Sequence, residues 1–139
     1  MVRTVLFVTL VFLLMAGCSV NPVTGKRDLM LVSTADEIQM GEQNYVPMQQ
    51  SQGGVYDVDP ELTRYVSSIG QSLAAVSEVD LPYEFVVLNN SVPNAWALPG
   101  GKIAVNRGLL TEMNSEAELA AVLGHEIVHS AARHTAQQM

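Results

Sequence analysis

The chain has 139 residues and a formal net charge of -7, from 14 acidic against 7 basic side chains. That length supports one small domain, and the acidic balance leaves no electrostatic case for nucleic acid as a partner. The single cysteine, Cys18, excludes an intrachain disulfide.

Hydrophobic residues reach 48%, partly because residues 1–16 form an apolar run after Arg3, interrupted only by Thr4 and Thr9. A run this short at the N-terminus reads as a signal peptide, not as a spanning helix. It ends in Leu14-Met15-Ala16-Gly17-Cys18, which resembles the bacterial lipoprotein box, with Met15 where leucine is usual. The box implies cleavage between Gly17 and Cys18 and lipidation of Cys18, so that two or more acyl chains give lasting membrane attachment. Plain secretion with an incidental Cys18 is the alternative. Ser19 follows the cysteine, where Asp would favour inner-membrane retention. The expectation is therefore a lipid anchor in the cell envelope, at the outer membrane facing the periplasm. Residues 1–17 are the expected signal peptide, 18–32 a polar, turn-rich tether, and 33–139 the domain.

Ser33-Thr34-Ala35-Asp36 reads as a capped helix start, followed by Ile38, Gly41 and Tyr45 at helical spacing. Pro47 is expected to kink or end that helix, and Gly53-Gly54 to close the region. Asp59-Pro60-Glu61 opens a second helix with cap, proline and first-turn acid. Its apolar stripe is Leu62, Tyr65, Val66, Ile69, Leu73 and Val76. Residues 83–88 are β-rich and mostly apolar, a predicted strand. Asn94-Ala95-Trp96-Ala97-Leu98 and Lys102-Ile103-Ala104-Val105 flank Pro99-Gly100-Gly101, a predicted hairpin. Trp96 suits either a core anchor or a cleft wall, and the core is the better bet. Residues 106–113 form a short turn or helix, and Ser115-Glu116-Ala117-Glu118 reads as a capping box opening the last helix. The element order predicts an α+β fold: helices first, a small hairpin sheet next, one further helix last.

That last helix carries His125-Glu126-Ile127-Val128-His129, an H-E-x-x-H pattern. Residues four apart on a helix are offset by roughly 40°, so the two imidazoles stack one turn apart and can close on one Zn²⁺. Glu126 points to one side of the pair, where a carboxylate serves as a base on water rather than as a further ligand. The bare pattern arises by chance at about one position in several thousand, so context matters. An ordinary buried helix with two hydrogen-bonded histidines is the competing reading.

Three stretches together resemble zinc metallopeptidase family M48. They are Asn21-Pro22-Val23-Thr24-Gly25-Lys26-Arg27, Pro93-Asn94-Ala95-Trp96-Ala97-Leu98-Pro99-Gly100-Gly101, and residues 118–129 with the trailing Arg133-His134. The likeness is closest to the family's periplasmic lipoprotein and barrel-assembly quality-control branch and to its mitochondrial relatives. It implies a zincin-like domain with His125 and His129 as metal ligands, Zn²⁺ as cofactor and Glu126 as the general base. It also implies protein or peptide substrates added as a strand along residues Ala95, Trp96, Ala97 and Leu98. In this family the third ligand is a Glu in a later E-x-x-x-D pattern, which this sequence does not contain after His129. Thr135 and Ala132 also fail the pattern in which a third His follows six residues after the second. His134 lies about 140° around the helix from His129, off the metal face. The expectation is an N-terminal part of a longer zinc endopeptidase, binding zinc weakly and cleaving little by itself. The rival reading is a lipid-anchored chaperone or assembly factor that does not require proteolysis.

Overall fold

A computed structural model of the chain describes residues 18–20, 27–29 and 32–132. The signal segment, most of the tether and residues 133–139, with His134, lie outside the described residues. Two short strands come first, β1 (Cys18–Val20) and β2 (Arg27–Leu29), paired antiparallel with Cys18 opposite Leu29. They fall in the segment expected to act as a tether.

Helix α1 (Thr34–Ser51) opens where the local chemistry says it should. The Ser33 hydroxyl accepts the Asp36 N–H while the Asp36 carboxylate accepts the Ser33 N–H, so two end-of-helix donors are satisfied. This pairing also holds the exposed Asp36 carboxyl below its ordinary range. The helix runs through Pro47, so of the two expected outcomes, a kink or an end, the proline does not end it. Glu37, Gly41, Tyr45 and Gln49, each four residues apart, are buried along one face that runs past the proline. The Tyr45 hydroxyl donates to the Ile103 carbonyl at 2.9 Å. Packing on both sides of Pro47 outweighs the lost backbone bond, and the helix ends only at Gln52, before Gly53 at φ 96°.

Helix α2 (Pro60–Ala74) begins as predicted, with Asp59 accepting the Glu61 N–H at 3.1 Å. Val66 is wholly buried, and Leu62, Ile69 and Leu73 pack beside it. Two members of the expected stripe depart from it. Tyr65 is half exposed, and Val76 lies beyond the helix end and faces solvent.

The sheet has three strands: β3 (Glu84–Leu88), β4 (Ala95–Leu98) and β5 (Lys102–Asn106), in the order β3-β5-β4. β4 and β5 form the predicted hairpin, joined by a 3₁₀ turn at Pro99–Gly101. β3 runs parallel to β5, with Phe85 opposite Ile103 and Val87 opposite Val105. As the central strand, β5 is buried along its whole length.

Strand alternation sorts the side chains into two cores. Phe85, Val87, Ile103 and Val105, with Ala95 and Ala97, face α2 and the last helix. Val86, Leu88, Leu98 and Ala104, with Trp96, face Tyr45 of α1. The result is a three-layer α+β unit with α1 on one face of the sheet and the remaining long helices on the other. Lys102 is buried at the sheet end and pairs with its cross-strand neighbour Glu84. Helix α3 (Arg107–Leu110) follows β5, and α4 (Glu116–Ala131) closes the described chain.

Candidate metal centre

Helix α4 is positioned by a buried stripe, Leu119, Leu123 and Ile127, packed into the same core as Val66, Val87 and Val105. Its start is capped by Ser115, whose hydroxyl accepts the Glu118 N–H at 3.3 Å. The predicted capping box closes differently from expectation. The Glu118 carboxylate accepts the N–H of Asn114, one residue further back, at 2.9 Å.

With the apolar stripe turned inward, His125 and His129 emerge on the opposite, solvent-reaching side of α4. Their Nε2 atoms lie 2.8 Å apart, with ring centroids at 4.3 Å and planes at 83°. Both rings thus aim the same nitrogen at one point, as the one-turn spacing requires. Two nitrogens bound tetrahedrally to Zn²⁺ at 2.0–2.1 Å stand about 3.3 Å apart. The pair needs to open by roughly 0.5 Å, within reach of small side-chain rotations. The donor set therefore fits two positions of a zinc site. Among the described residues no group of three His, Cys, Asp or Glu surrounds a common point, so a third protein donor is not among them.

Glu126 is half-buried beside this pair. Burial pushes its carboxyl above the ordinary range, while His129 and His125 pull in the opposite direction. A base held nearer neutrality is better matched to proton transfer at working pH. His125 and Glu126 together line a cavity of about 440 Å³, whose other walls include Pro93, Ala95, Leu109 and Val122. The wall is thus mostly apolar around three polar side chains, Asn94, His125 and Glu126, the usual make-up of a ligand-binding cleft.

The loop that supplies Pro93 is held by the end of β5 and the start of α3. Asn106 Nδ2 donates to the Val92 carbonyl at 3.0 Å, Arg107 Nε to Asn89 Oδ1 at 2.8 Å, and the Gly108 N–H to the Asn90 carbonyl at 3.0 Å. The cavity wall is therefore tied to the central strand and not left as a free loop.

The structure divides the residues Ala95–Leu98 between two faces. Ala95 faces α4 and borders the cavity, and Ala97 packs on the same side. Trp96 and Leu98 face α1. Trp96 packs edge-on against Tyr45, with centroids 6.1 Å apart, as the core reading of its sequence position expected. β4 is the outer strand of the described sheet. Cys18 stands in the β1–β2 ladder, outside this site.

Sequence reasoning missed Leu109 and Val122 as walls, and Ser130 as an anchor of α4. For Ser130 a signal existed. It falls on the buried stripe Leu119, Leu123, Ile127, where an apolar residue is the default, so a serine there asks for a buried partner.

Residues 60–139 match the model of Peptidase family M48. The chain is 37% identical over 109 residues to the beta-barrel assembly-enhancing protease of Yersinia pestis, covering 78% of this chain and 22% of that protein. The corresponding Escherichia coli protein is 35% identical over 109 residues, with the same 78% and 22% shares. Mitochondrial metalloendopeptidase OMA1 of Schizosaccharomyces pombe is 36% identical over 120 residues, covering 85% of this chain and 36% of that protein. The chain thus spans only 22% to 36% of the length of these relatives. With a family model that covers more than half of the chain and a histidine pair converging beside a half-buried glutamate, this protein belongs to peptidase family M48.

Proposed function

We propose that the full-length protein is a zinc-dependent endopeptidase of the bacterial envelope, anchored through lipidated Cys18, that hydrolyses misfolded or misassembled proteins. The observation that carries the reading is the convergence of His125 and His129, Nε2 to Nε2 at 2.8 Å, next to a carboxyl raised by burial in the same cavity wall. The zincin-like character of the domain rests on the same geometry. His125 and His129 would hold the zinc together with one further protein donor. The metal, when bound, supplies a Lewis acid for the scissile carbonyl and an acidified water.

The chain's own residues do the rest. Glu126 accepts the proton of the attacking water and returns it to the leaving amine. The backbone of β4, beginning at Ala95, aligns an extended peptide by hydrogen bonds in the plane of the sheet, which select conformation more than sequence. The cavity bounded by Leu109 and Val122 receives an apolar side chain next to the scissile bond. Extended backbone with exposed apolar side chains is what unfolded proteins present.

The test is Glu126→Gln in the full-length protein. It should retain zinc and lose cleavage of an unfolded protein substrate by at least about a hundredfold. Cleavage that survives the substitution would remove Glu126 from the role of base. A second reading, a lipid-anchored assembly factor, draws on the bacterial relatives, which are beta-barrel assembly-enhancing proteases. It predicts that the same variant still supports envelope assembly. For location, no helix among the described residues is long and apolar enough to cross a membrane, and a lipid anchor at Cys18 requires none.

A further inference from the structure

We propose that Ser130 is a positioning residue that fixes the metal-bearing helix against the substrate-aligning strand; this rests on the peptidase reading above. Ser130 follows His129 directly and is only 3% exposed. Its hydroxyl accepts the N–H of Gly101 at 2.9 Å and donates to the carbonyl of Leu98 at 3.2 Å. Those partners are 29 and 32 residues away in sequence, at the two ends of the turn that closes β4 onto β5. One side chain thus ties α4 to the end of β4.

Gly100 and Gly101 sit at φ 75° and 83°, where L side chains are strained. A Cβ on Gly100 would lie 2.6 Å from the Ile38 Cα of α1. The turn is pinned by α1 on one side and by Ser130 of α4 on the other. α4 therefore meets β4 through apolar contact, which sets separation loosely, and through the buried Ser130 hydroxyl, which adds direction and distance. A peptide lying along β4 must bring its carbonyl to the histidine pair on α4, and misplacement by about 1 Å is costly in such steps. Ser130 is where the two halves of that geometry are joined.

The experiment compares the full-length zinc enzyme with Ser130→Ala and Ser130→Thr. Each is assayed on a long peptide that spans all of β4 and on a short one with two residues on either side of the scissile bond. Loss of folded enzyme scales both substrates equally, so the long-to-short ratio of kcat/KM isolates positioning. The ratio should fall about tenfold in Ser130→Ala and recover in Ser130→Thr, which keeps the hydroxyl. A second readout needs no activity: amide exchange at Gly101 should quicken about tenfold in Ser130→Ala and slow again in Ser130→Thr. An active wild type whose ratio is unchanged in Ser130→Ala overturns the inference alone, as does a folded Ser130→Thr that fails to recover it. A wild type that cleaves neither peptide overturns the peptidase reading itself.

Discussion

Replacing Gly41 and Gly124 by alanine should move stability in opposite directions, although both glycines lie inside helices. In a helix interior, alanine is favoured over glycine by about 0.5–1 kcal/mol, through lower chain entropy in the unfolded state. At Gly124 an added Cβ meets no atom of the described residues within 4 Å, so Gly124→Ala should realise that gain in full. At Gly41 the added Cβ would stand 2.0 Å from the Pro99 carbonyl oxygen and 3.1 Å from its carbon. Both are backbone atoms of the turn, which no side-chain rotation can move aside. α1 would have to back away by roughly 1 Å to reach the 3.0 Å limit, and such overpacking costs about 1–3 kcal/mol. Set against the helix gain, the net loss is about 1–2 kcal/mol. Urea denaturation followed by circular dichroism reads both variants, with midpoints shifting in opposite senses at similar slope. A Gly41→Ala protein as stable as its parent would refute the claim that α1 crosses the turn at backbone contact.

Two further outcomes are expected. Leu123→Ala removes a fully buried side chain two residues before His125 and should cost about 3–5 kcal/mol, read by the same denaturation. Tyr45→Phe deletes the hydroxyl bond to Ile103 and should cost about 0.5–1.5 kcal/mol at neutral pH. Burial, reinforced by the charge of Glu84, raises the Tyr45 phenol far above its usual range. Its protonated form is therefore favoured by folding. The contribution is complete below about pH 10 and is lost as pH rises beyond the unfolded value towards the folded one. The parent should lose stability more steeply than Tyr45→Phe in alkaline titration, and parallel curves would contradict this.

What the sequence disclosed was chiefly local. The starts of α1, α2 and α4 were legible because Ser33, Asp59 and Ser115 act within three residues of their partners. The histidine pair was legible because a single helix fixes its geometry. The β4–β5 hairpin was legible through Pro99-Gly100-Gly101. The parallel pairing of β3 with β5 was not, since nothing local in residues 84–88 names a partner across an intervening strand. The passage of α1 through Pro47 was hidden for a similar reason: the buried Tyr45 beside it bonds to Ile103, 58 residues away. Gly41 looked like a weak helix position and is a crossing point, as the approach of Pro99 shows only in three dimensions. The alternation of Ala95 and Ala97 against Trp96 and Leu98 was implicit in a strand, but which face met α4 depended on the layer order.

The central claim is that His125 and His129 grip one zinc ion while Glu126 works on the water it holds. Anomalous diffraction at the zinc edge, on crystals of the zinc-loaded full-length protein, tests it most directly. One metal peak should appear about 2.0–2.1 Å from Nε2 of both His125 and His129, with the Glu126 carboxylate outside bonding distance and facing the open coordination position. A peak bound elsewhere, a peak touching only one of the two rings, or Glu126 bonded to the metal would contradict it.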